Sequence, residues 1–83
     1  MLKIIKREAL YEYELITAEI ENDEKVKSVK VRIKPECNNK VMDIMVYFKS
    51  GKSASYSGNL SNHKMPIKYR NYIATIMKDI KEA

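Results

Sequence analysis

The chain has 83 residues, of which 45% are hydrophobic and 33% charged, and its formal net charge is +5 at pH 7. That length suits one domain over residues 1–83 and leaves no room for a second core, and the composition is too apolar for a disordered chain. No stretch approaches the roughly 18–20 apolar residues of a membrane span, and charges interrupt Met1-Leu2-Lys3-Ile4-Ile5-Lys6-Arg7 too soon for a secretory leader, so a cytoplasmic protein with no membrane partner is expected.

The N-terminal third admits two patterns. Leu2, Ile5, Ala9, Tyr13, Ile16 and Ile20 follow helical spacing, whereas Tyr11, Tyr13, Leu15 and Thr17 alternate as in a strand. We read residues 12–20 as a strand; residues 3–9 fit either a short strand or a helical lead-in. Glu21-Asn22-Asp23-Glu24 suits a turn into a strand over 27–34. There Val29, Val31 and Ile33 alternate with Lys30, Arg32 and Lys34, giving one apolar and one basic face, and Pro35 ends the run. After a polar turn from Glu36 to Lys40, Val41 to Lys49 reads as a further strand. It places Met42, Ile44, Val46 and Phe48 on one face and Val41, Asp43, Met45 and Tyr47 on the other. Ser50-Gly51-Lys52 suits a hairpin turn, with Gly51 supplying positive φ, and Ser53 to Ser57 returns as a short strand.

The last segment is an amphipathic helix from Pro66 to Glu82. Tyr69, Tyr72, Ile73, Ile76, Met77 and Ile80 fall on one stripe at about 100° per residue. Pro66 suits the first turn, where a missing N–H is harmless, Ser61 or Asn62 can cap a short lead-in turn, and Lys78 and Lys81 favour the negative end of the helix dipole.

Together these elements predict an α+β fold: an antiparallel four-stranded sheet followed by one C-terminal amphipathic helix, ββββα. Val29, Val31, Ile33, Met42, Ile44, Val46 and Phe48 are expected to meet Tyr69, Ile73, Ile76, Met77 and Ile80. One helix covers about 10 Å of sheet width. The apolar surplus, with the half-apolar Val41, Met45 and Tyr47 face, argues for a homodimer.

Catalytic chemistry finds little support. Cys37 is the only cysteine and His63 the only histidine, which excludes an internal disulfide and a structural zinc site. A Cys37–His63 nucleophile pair is outweighed by a plain loop thiol and a surface imidazole. With two glycines there is no phosphate-binding loop. The acidic residues Glu8, Glu12, Glu14, Glu19, Glu21, Asp23 and Glu24 have no ligand spacing and read as exposed. They suit electrostatic docking on a basic subunit or partner better than acid–base work. No metal, no cofactor and no enzymatic activity are expected.

Charge is segregated along the chain. Residues 1–24 hold three basic and seven acidic side chains, whereas residues 25–83 hold thirteen basic and four acidic ones. No acid lies between Asp43 and Asp79. A surface of one sign attracts polyanions, although lysines also serve simple solubility. Lys30, Arg32 and Lys34 point one way from a single strand; Tyr47 shares that face if the next strand pairs in register; Lys49, Lys52 and Tyr56 extend it. Ammonium groups along phosphates and rings against unpaired bases suit single-stranded nucleic acid. Solvated lysines around a cross-strand tyrosine account for the same pattern. Serines from Ser50 to Ser61, and the helix cations Lys68, Arg70, Lys78 and Lys81, offer further phosphate contacts. Only Arg70 among the helix cations is an arginine, so a base-specific reader is disfavoured.

Two resemblances bear on this. The ββββα order, the hairpin Lys49 to Ser53 and the final helix Pro66 to Glu82 resemble the positive-cofactor type of transcriptional coactivator and its bacterial and phage relatives. That resemblance covers residues 27–82 in pattern and implies a dimer that binds single-stranded DNA on a basic, aromatic-bearing sheet. The tryptophan common in that family's helix is absent, since the chain has no Trp. In length and in its lysine- and isoleucine-rich composition the chain is also similar to small phage and mobile-element proteins of low-GC Gram-positive bacteria. That implies the alternative of a protein that binds and inhibits a host protein, as anti-CRISPR and other anti-defence inhibitors do.

Overall fold

A computed structural model describes residues 2–58 and 64–82. His63 and the candidate caps Ser61 and Asn62 lie outside the described residues. The elements run β1 (Leu2–Leu10), β2 (Tyr13–Ile20), β3 (Val26–Lys34), a 3-10 turn (Pro35–Cys37), β4 (Lys40–Phe48), β5 (Ser53–Ser57) and α1 (Ile67–Glu82). The strands form one antiparallel meander in the order β1-β2-β3-β4-β5, with α1 across one face.

The α+β class and the terminal helix are as the sequence predicts, but the sheet has five strands and not four. The extra strand is β1, and its register explains why it was ambiguous. Ile4 pairs with Ala18 and Lys6 with Thr17, so Ile5 is an inserted bulge residue. The bulge shifts the alternation by one. Leu2 and Ile4 face the helix side before it, and Arg7 and Ala9 do so after it, which reads as neither period. A second bulge corrects the predicted core. Arg32 pairs with Asp43 but Ile33 pairs with Val41, so Val41, not Met42, packs on the core.

The core joins Ile16, Ala18 and Ile20 of β2, Val26, Val29, Val31 and Ile33 of β3, and Ile44 and Val46 of β4 to Met65, Tyr69, Ile73 and Ile76. β1 is apolar on the helix side only in its first half, where Leu2 and Ile4 pack against the core. Its second half carries Arg7, whose Nε and Nη2 donate to the Glu14 carboxylate at 2.8–3.1 Å on the helix side of the sheet. Three of the turns use residues that tolerate a left-handed backbone, Asn22, Asn38 and Asn39 with φ of 58–65° and Gly51 with φ 93°, whereas the β1–β2 turn places Tyr11 there at φ 58°. Gly58 is needed for close approach, because a Cβ there would sit 2.6 Å from the Val41 carbonyl oxygen.

Asp23 ties the helix to the sheet, and it is buried where an exposed acid was expected. Its Oδ1 accepts the Lys25 and Val26 amides at 2.9 and 3.0 Å, the geometry of an aspartate that caps its own turn. Its Oδ2 accepts the Tyr72 hydroxyl at 2.6 Å and the Lys68 ammonium at 2.6 Å, both from α1. Burial alone would raise the pKa of this carboxyl. Lys68 and Tyr72, then the two amides, outweigh burial and hold it well below the usual carboxylate range. Burial and the Asp23 carboxylate in turn push the Tyr72 phenol well above its ordinary value. At its N-terminus α1 is opened by Pro66, whose carbonyl accepts the amides of Tyr69 and Arg70.

Candidate nucleic-acid interface

The helix covers one face of the sheet, and among the described residues nothing packs on the other. Cross-strand register fixes what that outer face carries. One row runs Glu8, Leu15, Arg32, Asp43, Ser57; the next runs Lys6, Thr17, Lys30, Met45, Ser55; the third runs Lys3, Glu19, Ser28, Tyr47, Ser53.

Lys30, Arg32 and Tyr47 therefore share one face. The Lys30 ammonium lies 5.5 Å from the Tyr47 ring centroid, and the Tyr47 hydroxyl is 3.7 Å from the Met45 sulfur. Arg32 is engaged locally: its Nη2 meets Asp43 Oδ2 at 2.6 Å and its guanidinium lies 4.8 Å from the Tyr13 ring. Its charge is neutralised within the sheet and is a poor anchor for phosphate. Lys34 stands opposite Lys40 at the far end of the same strands. Lys49 and Lys52 flank the turn between β4 and β5. Tyr56 does not extend the surface. It pairs with the core residue Ile44, and its ring lies 5.6 Å from Tyr69 on the helix side. The reason is parity: with Tyr47 opposite Ser53, odd positions of β5 face outward and Tyr56 faces in.

The outer face thus divides. At the end bearing the β4–β5 turn, Lys27, Ser28, Lys30, Tyr47, Phe48, Gly51 and Lys52 line one shallow hollow. Lys27 and Ser28 were absent from the predicted site. Simple alternation would send Lys27 towards the helix, but the register slips between Val26 and Ser28 and releases it. The sequence carries only a faint signal, two valines three apart at Val26 and Val29; the structure buries both, and a spacing of three cannot belong to one uninterrupted strand face. At the other end, the Arg32–Asp43 pair and the Lys6–Glu8 ion pair cancel charge. The Lys6 ammonium, through its hydrogen bond and its charge, lowers the Glu8 pKa.

The hollow offers charge and few fixed donors. Four amides of the turn are already engaged: Phe48 N with Lys52 O, Lys49 N with Lys25 O, Gly51 N with Phe48 O, and Lys52 N with Ser50 Oγ. No nest of free N–H groups is formed by these four, so a phosphate here would meet lysine ammonium groups, which are mobile point charges without the fixed fork of arginine. Such a site favours phosphate backbones over particular bases. Glu19, opposite Ser28, bounds it on the β2 side.

Among the described residues, no three His, Cys, Asp or Glu side chains cluster to hold a metal ion, and no helix is long and apolar enough to cross a membrane. Cys37 is exposed on the 3-10 turn. No protein-family model matches this chain, and neither a curated protein nor a solved structure does.

Proposed function

We propose that this chain is a non-enzymatic binding domain that takes single-stranded nucleic acid, with little sequence preference, on the outer face of its sheet. One observation carries the reading: Tyr47 lies on the uncovered face beneath Lys30, in a hollow also lined by Lys27 and Lys52. Phosphates follow the ammonium groups, and an unpaired base replaces Lys30 over the Tyr47 ring. A duplex offers the same phosphates but hides its base faces, so single strands bind more tightly. With Lys27, Lys30, Lys49 and Lys52 each neutralising one phosphate, the slope of log K against log salt is about −3, and affinity falls about fifty-fold between 50 and 200 mM salt.

Fluorescence anisotropy with labelled single- and double-stranded oligonucleotides at those two salt concentrations tests this. Single-strand preference with that salt slope supports it; no binding at low salt removes it. The second reading, a small phage or mobile-element protein that binds and inhibits a host protein, then takes its place. It is favoured by the exposed Ile5, Leu10 and Tyr11, which gather on β1 and its turn.

A further inference from the structure

The two edges of the sheet differ in how they are defended. β1 carries a bulge at Ile5 and four charged side chains, Lys3, Lys6, Arg7 and Glu8, all devices that discourage a second strand from pairing. β5 has none of them: Ser53-Ala54-Ser55-Tyr56-Ser57 holds no charge, no proline and no bulge. The hydrogen bonds Gly58 N to Met42 O and Phe48 N to Lys52 O show that even-numbered residues turn their backbone groups towards β4. The N–H and C=O groups of Ser53, Ser55 and Ser57 therefore point to the open edge, where no strand pairs with them among the described residues.

We propose that the occupant of this edge is the β5 strand of a second copy of the chain, paired antiparallel about a two-fold axis through Ser55. This register pairs all five residues and is self-complementary. Ser53 meets Ser57 of the other copy, Ser55 meets Ser55, and small Ala54 lies beside large Tyr56 on the helix side. Lys52 falls opposite Gly58 rather than another lysine, so no like charges face each other. The outward backbone groups of the three serines supply about six hydrogen bonds, and the serine hydroxyls line the seam on the outer face. The contact is small and isologous, so the dimer is weak and concentration-dependent. Both outer faces point the same way, which sets the two basic hollows about 20 Å apart on one continuous sheet. The pairing itself does not depend on the oligonucleotide reading.

Sedimentation velocity of the full chain between roughly 10 µM and 1 mM tests it. The expected mass rises from 9.7 kDa towards twice that value. Ser55→Lys puts like charges on the axis and keeps the chain monomeric, and Ser55→Pro does the same by removing an N–H that β4 does not use. Circular dichroism checks that each variant is folded. In the wild type, hydrogen exchange at the Ser53, Ser55 and Ser57 amides slows as concentration rises. A single 9.7 kDa species up to 1 mM overturns the proposal, as does a dimer that both folded variants retain or whose serine amides exchange no more slowly. A dimer that ignores oligonucleotides leaves this pairing standing and removes only the nucleic-acid reading.

Discussion

Asp23→Ala lowers the unfolding free energy by about 3 kcal/mol, a large share of the stability of a domain this small. The carboxylate is 5% exposed and accepts four donors, two from the turn it caps and two from α1. Removing it leaves the Lys25 and Val26 amides and the Tyr72 hydroxyl without that acceptor, and it frees α1 from the β2–β3 turn. Tyr72→Phe removes one donor and costs about 1 kcal/mol. The loss depends on pH in a defined direction. Asp23 ionises more readily in the folded state than in the unfolded one, so its contribution is complete above the unfolded value of 3.8 and drains away as the pH falls further. The gap between wild type and Asp23→Ala is therefore flat from about pH 5 to about pH 8 and narrows in more acid solution. Urea unfolding of both proteins from about pH 8 down to about pH 3 measures it. A gap that widens on acidification contradicts the assignment.

Tyr47→Ala weakens single-strand binding about ten-fold, the loss of one base–ring stack, while leaving the salt slope unchanged. Lys27→Ala and Lys52→Ala act differently: each reduces affinity at low salt and flattens the slope by about 0.7. Lys30→Ala costs less affinity than either, because removing the ammonium also uncovers the Tyr47 ring. Tyr56→Phe serves as the control on the helix side and leaves affinity unchanged. Anisotropy titrations at several salt concentrations separate the two kinds of loss. Equal effects from Tyr47→Ala and Tyr56→Phe would contradict the geometry.

What could be read directly from the sequence is what alternation and helical periodicity encode. α1 followed from a stripe that runs the length of the helix and the faces of β3 from the unbroken alternation of Val29 to Lys34, and the shared face of Lys30, Arg32 and Tyr47 followed from them once register was known. The errors sit at bulges. Ile5 hid β1, the slip opposite Ile33 exchanged Val41 for Met42, and the slip at Lys27 concealed a residue of the hollow, because each inserts one residue that periodicity cannot place. Two other differences are tertiary. Asp23 stood in a run of acids that reads as a solvated turn, and its partner Tyr72 lies 49 residues away. Arg32 looked like a free cation until pairing set Asp43 opposite it.

The most direct test of the outer-face account is a two-dimensional amide NMR titration of the protein with a short oligothymidylate at low salt. Progressive shifts at Lys27, Ser28, Lys30, Tyr47 and Lys52, with α1 and Tyr56 unmoved, are the predicted result. Shifts centred on α1, or none at all at millimolar oligonucleotide, would contradict it.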